Sequence, residues 1–130
     1  MSTKHPNPTE AHALAEAVAE AMWARDRAAN ALGIRIESVG PGVSHLSMPV
    51  RGDMVNGHHI CHGGLIFSLA DTAFAYACNS YNKNTVASAC HIDFLAPGME
   101  HDTLDAEAVE RSQSGRSEEH TSELQSRQVI

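Results

Sequence analysis

Between His62 and Lys83 one residue is charged at neutral pH, Asp71, and it lies inside a long run of Leu, Ile, Phe and Ala. A carboxylate in such surroundings is costly to bury without partners, and the placement suits a general base. The plainer alternative has Asp71, with Ser68 and Thr72, facing water. Just before the run stand Gly63 and Gly64. If a helix opens there, its first N–H groups lack helical partners and sit at the positive end of the macrodipole, where they can hold a developing oxyanion. Glycine also admits a ligand close to the backbone, although it can equally serve packing alone.

Asp71 lies eight residues beyond Gly63, which is about 12 Å along a helix axis. One helix cannot bring both to the same carbonyl. Joint action therefore requires two copies of the chain, their helices antiparallel across a twofold axis, with two equivalent sites. His58, His59, Cys61 and His62 are metal-ligating types, but paired clusters at zinc spacing are missing and no metal is expected. Cys61 beside His62 is equally weak as a nucleophile, because adjacency in sequence says little about geometry.

The elements that must position these residues follow from periodicity. Pro6, Pro8, Thr9 and Glu10 signal a helix start, and Leu14, Val18, Met22 and Trp23 recur at helical spacing, so an N-terminal helix is expected from about residue 9 to 31. Met22 and Trp23 are expected to be packing residues. From Ile34 the period shortens: Ile34, Ile36 and Val39 precede Gly40-Pro41-Gly42, and Val43, His45, Leu46, Met48 and Val50 follow, which predicts a hairpin. Asn56-Gly57 is a turn dipeptide. The run from Gly63 to about Ser80 is too long for a strand and predicts a buried helix. Val86–Leu95 and Thr103–Val109 alternate as strands do, with Leu104, Ala106 and Ala108 on one side and Asp105 and Glu107 on the other. The order predicts an α+β arrangement of antiparallel strands packed on a helix.

The whole chain sets outer bounds. Its 130 residues, 42% hydrophobic and 19% charged, make one globular domain. A net charge of −7 without a basic stripe argues against nucleic acid as partner. Three cysteines in or beside apolar segments point to a reducing compartment. No secretory leader is recognisable, and the longest apolar run falls short of a membrane span, so no membrane partner and a cytoplasmic location are expected.

The end of the chain reads differently. Residues 112–128 are polar nearly throughout, with no period for a strand or a core-facing helix. Arg116–Ser126, RSEEHTSELQS, resembles the translation of a sequencing-library adapter. The domain is therefore expected to span residues 1–115, with 116–130 a non-native or disordered tail.

The strings NGHHICHGGLIFSLADTAFAYACNS, VASACHIDFLAPG and DTL resemble the hotdog-fold acyl-CoA thioesterases of the PaaI type, from phenylacetic acid degradation, over about residues 32–109. The resemblance implies a long central helix wrapped by an antiparallel sheet, and subunits paired with helices antiparallel, as homodimers or tetramers. It implies Asp71 as general base or nucleophile, Gly63 as the amide that polarises the thioester carbonyl across the interface, and Asn56 and His62 as groups orienting water and substrate. Gly64, Thr72 and Phe67 are expected at the substrate. CoA enters as part of the substrate and no further cofactor is implied. Members of the family continue with two more long strands where the adapter-like tail stands, so the sheet is expected to be incomplete at its C-terminal side, leaving edge groups open to aggregation.

The activity so implied is hydrolysis of an aryl- or phenylacetyl-type acyl-CoA to free acid and CoA. The rivals are a non-catalytic acyl-CoA-binding or inactive truncated dimer and a hotdog dehydratase or hydratase. The latter chemistry usually needs a histidine facing a carboxylate, which the HGG-then-Asp arrangement suits less well.

Overall fold

The computed structural model of the chain describes residues 7–82, 97–113 and 120–129, with side chains up to residue 110. Helix α1, Pro8–Trp23, starts where the sequence places its signals: the Asn7 side chain accepts from the Glu10 N–H at 2.8 Å, the Glu10 carboxylate accepts from the Asn7 N–H, and Pro8 stands at the first helical position. The single helix expected to residue 31 is in fact two. The backbone turns at Ala24–Asp26, and α2, Arg27–Ala31, begins again with Asp26 capping the Ala29 N–H at 3.1 Å. A short polar side chain that can satisfy free N–H groups outcompetes the continuing alanine period. Gly33, at φ 72°, then turns the chain into the sheet.

The predicted hairpin forms from β1, Arg35–Gly40, and β2, Val43–Pro49, with Gly40 opposite Val43 across the two-residue turn Pro41-Gly42. The central helix α3 covers Gly63–Cys78 and passes into a short 3-10 turn, Asn79–Tyr81. Strand β3, Thr103–Gln113, pairs antiparallel with β2. Leu104, Ala106 and Ala108, expected on one side of the strand, share its buried face. Val86–Leu95 lies outside the described residues.

A fourth strand, β4, His120–Val129, pairs with β3, giving the order β1-β2-β3-β4. This corrects the reading of residues 112–128 as lacking a strand. Pairing runs through backbone N–H and C=O groups and does not depend on a side-chain period, so an unpaired edge of β3 can recruit even a polar segment.

The inner face of α3 (Leu69, Ala73, Tyr76, Ala77) packs on Leu46 and Met48 of β2 and on Leu104, Ala106 and Ala108 of β3. Its alanines let the helix lie close to the sheet. Two buried serines fix it there: the Ser44 hydroxyl donates to the Ala73 carbonyl, and the Ser80 hydroxyl accepts from the Gly42 N–H at 2.7 Å while donating to the Ala77 carbonyl. Met22, Trp23 and Leu32 pack against this core from the N-terminal side.

Burial pushes three groups upward, Tyr81 among them, with the Glu110 charge adding to its desolvation. The Tyr76 hydroxyl, 1% exposed as a residue and 3.5 Å from Asp26 Oδ2, is held well above its ordinary 10.0 by desolvation and then by the Asp26 charge. The Cys61 thiol is raised above 9.0 by desolvation alone. Below those values each group is neutral in both the folded and the unfolded chain, so stability does not respond; above them the unfolded chain releases protons the native chain retains, and stability falls, with Tyr81 sharing in the loss. The thermal midpoint is expected to hold up to about pH 9 and then decline, with Tyr76→Phe flattening the part above about pH 10. Circular-dichroism melts across this range check it, and identical alkaline slopes in both proteins would refute the role of Tyr76.

Candidate active site

The segment before α3 is a small closed loop. The Met54 carbonyl accepts from the His62 N–H at 2.9 Å, Val55 bridges Cys61, and the Asn56 N–H donates to the Ile60 carbonyl at 2.8 Å. Asn56 also holds the loop through its side chain, whose Oδ1 accepts from the backbone N–H of His58 at 2.9 Å and of Ile60 at 3.2 Å. Two donors converging on one atom identify it as the oxygen, which leaves the Nδ2 amide as the group free to face a ligand. His59 takes the left-handed conformation, φ 62°, at the loop's tip. Asn56 thus has a structural duty that its sequence position did not disclose.

His62 is the N-cap residue of α3, and its side chain makes no capping bond. Leu65 and Ile66 donate to the His62 carbonyl, while the Gly63 and Gly64 N–H groups have no acceptor among the described residues. Nothing lies within 4 Å of the position a Gly64 Cβ would take. Two backbone donors at the positive end of a sixteen-residue helix therefore have no acceptor among the described residues, and the second of them sits beside open space at Gly64.

Asp71 stands two turns further along, on the outward stripe of α3, and is exposed. Between it and the glycines the stripe is ordered by hydroxyl groups: Thr72 Oγ1 donates to the Ser68 carbonyl at 2.6 Å and Ser68 Oγ to the Gly64 carbonyl at 2.9 Å. Phe67 is half-buried beside them. Ser68 is not among the site residues expected from the sequence, although its spacing of four from both Gly64 and Thr72 places it on this line. The structure thus gathers Asn56, His62, Gly63 and Gly64 at the opening of α3 and sets Phe67, Asp71 and Thr72 along its outer face. It does not bring Asp71 to Gly63 within one chain. Among the described residues no group of three or more His, Cys, Asp or Glu side chains is arranged to hold a metal ion.

A helix whose first amides lack acceptors among the described residues, a lone carboxylate on its outer stripe and an antiparallel sheet on its inner face are arranged as the hotdog resemblance implies. The sequence pattern of the Thioesterase superfamily matches residues 58–121. The acyl-coenzyme A thioesterase PaaI of Escherichia coli is 57% identical over 95 residues, covering 73% of this chain and 68% of that protein. The chain therefore belongs to the thioesterase superfamily and, within it, to the PaaI-type acyl-CoA thioesterases. Among solved structures, the E. coli PaaI protein superposes with a TM-score of 0.79 at 53% identity, covering 80% of this chain and 75% of that one. A mutant of the phenylacetic acid degradation protein PaaI from Thermus thermophilus follows at 0.68 and 33% identity, covering 78% and 87%.

The two duties of Asn56 can be separated. Asn56→Asp keeps the oxygen that accepts from His58 and Ile60 but replaces the free amide donor by a charge. The thermal midpoint is expected to stay near that of the parent while kcat/KM for an acyl-CoA drops by roughly tenfold or more, the scale of one lost hydrogen bond to a charged or polarised group. A fall in midpoint with unchanged kcat/KM would confine Asn56 to the loop.

Proposed function

We propose that the chain hydrolyses acyl-CoA thioesters, with aryl- or phenylacetyl-type acyl groups preferred, to the free acid and CoA. The observation that carries this reading is the pair of Gly63 and Gly64 amides at the start of α3, without an acceptor among the described residues, on the same helix as an exposed Asp71. Asp71 accepts a proton from water as its oxygen bonds to the carbonyl carbon, and the carbonyl oxygen gains negative charge that the Gly63 amide of a second chain receives. Collapse of this intermediate breaks the C–S bond, and CoA leaves as thiolate. The spacing along α3 supports a homodimer with antiparallel helices, in which the exposed stripe becomes the interface and each site takes residues from both chains. Pairing of such dimers into tetramers extends the same reading.

CoA enters as substrate, and the chemistry calls for no metal or further cofactor. No helix among the described residues is long and apolar enough to cross a membrane. The buried thiols of Cys61 and Cys78 support a reducing, cytoplasmic setting. We take residues 1–115 as the native domain and 116–130 as a non-native tail that has adopted the edge of β3.

Thiol release from phenylacetyl-CoA against acetyl-CoA, followed with a chromogenic thiol reagent, tests the proposal. Turnover of the phenylacetyl ester with the higher kcat/KM is the expected result. Saturable binding of both esters without thiol release would instead favour a non-catalytic acyl-CoA-binding dimer.

A further inference from the structure

A second opening lies away from the glycine end of α3. It is a cleft of about 550 Å³ between the C-terminal part of α1 and the end of α3, lined by Val18, Ala21, Met22, Arg25, Asp26, Asn79 and Asn82. One wall is apolar and the other carries one guanidinium and two amides. The charges in it are unequal in availability. Asp26 is engaged, its Oδ1 by the Ala29 N–H and its Oδ2 by the Tyr76 hydroxyl, whereas Arg25 joins no ion pair among the described residues. Asn79 sits eight residues beyond Asp71, about 12 Å along the axis, so the cleft is separate from the Gly63 and Asp71 groups.

We propose that this cleft binds a small monocarboxylic acid with an apolar body: the carboxylate on Arg25, aided by the Asn82 amide, and the body against Val18, Ala21 and Met22. The volume matches that of a small-molecule site. A guanidinium presents paired donors that fit a carboxylate. With Asp26 alongside, the lining carries one cation and one anion, which favours a singly charged ligand over the phosphates of CoA. The ligand class is that of the acid released by the hydrolysis proposed above, on which the regulatory meaning rests: product retained here slows further turnover.

Phenylacetate is the probe, titrated by calorimetry into the full chain. Arg25→Gln is expected to weaken binding by tenfold or more, and Arg25→Lys to weaken it less; 2-phenylethanol, lacking the charge, binds weakly and equally to all three proteins. Asp71→Asn retains the site. In turnover assays phenylacetate gives mixed inhibition against phenylacetyl-CoA, and its non-competitive part disappears in Arg25→Gln while uninhibited kcat stays within twofold. Equal phenylacetate affinity in the parent and Arg25→Gln, or purely competitive inhibition of the parent, overturns the proposal. Arg25-dependent binding by a chain that releases no thiol from any acyl-CoA leaves the cleft standing and removes the hydrolase reading instead.

Discussion

Asp71→Asn is expected to lower kcat/KM for phenylacetyl-CoA by about 10²–10⁴-fold, the contribution of a positioned general base, while KM changes little. The carboxylate is exposed in the single chain and makes no hydrogen bond or ion pair among the described residues, so the fold of each subunit should persist, as the circular-dichroism spectrum will show. That combination separates catalysis from folding. Asparagine keeps the shape and a carbonyl oxygen but cannot take a proton, which leaves water unactivated. Unchanged kcat/KM in Asp71→Asn would remove this residue from the chemistry.

Gly63→Pro should cost nearly as much, about 10²–10³-fold in kcat, through the loss of one oxyanion donor. The substitution is unusually selective. Gly63 is the first residue of α3, where proline is well tolerated because the N–H it lacks has no helical acceptor. His62, at φ −57° and ψ 133°, already has the extended conformation that a following proline demands. The helix therefore persists while one hydrogen atom disappears. Gly63→Ala, which keeps the N–H and adds only a methyl group, measures the steric part of the effect.

Mixing the two inactive variants then locates the donor. If each site takes Asp71 from one chain and Gly63 from the other, random exchange makes half the dimers mixed and gives each of those one intact site, so about a quarter of the parent activity returns. If both groups act within one chain, no mixture recovers activity. Subunit exchange by mild denaturation and refolding, followed by the thiol-release assay, reads the difference directly.

Much of this architecture was legible before any coordinates. The extent of α3 followed from an apolar run too long for a strand, and the hairpin from the turn residues Gly40-Pro41-Gly42 flanked by alternation. The interruption of the N-terminal helix was not legible, because the alanine-rich period runs on through Ala24 and Ala28 and only Asp26, one polar side chain among several, decides that a new helix starts. The pairing of β4 was missed for a different reason: strand partnership is settled by which backbone edge lies open, and a side-chain pattern carries no record of that. In the site, the helix opening at Gly63 and the isolation of Asp71 were visible as residue types and spacing. The engagement of Asn56 Oδ1 with two loop amides was not, since it depends on where residues 58 and 60 are carried by the turn.

The register of β2 with β3, from Val43 opposite Val109 to Pro49 opposite Thr103, has a kinetic consequence. Everything that composes the site, from Asn56 to Thr72, lies on the stretch of chain closed into a loop by that pairing, which the Ile60–Met99 bridge and the Cys61 N–H bond to the Gly98 carbonyl extend. The β1–β2 hairpin can form by local search, but closing the large loop must overcome its conformational entropy before contacts reward it. Site and sheet should accordingly appear together, late and in one step during refolding. A chain caught before that closure presents the apolar face of α3 without its sheet, and rising protein concentration then favours aggregation over closure.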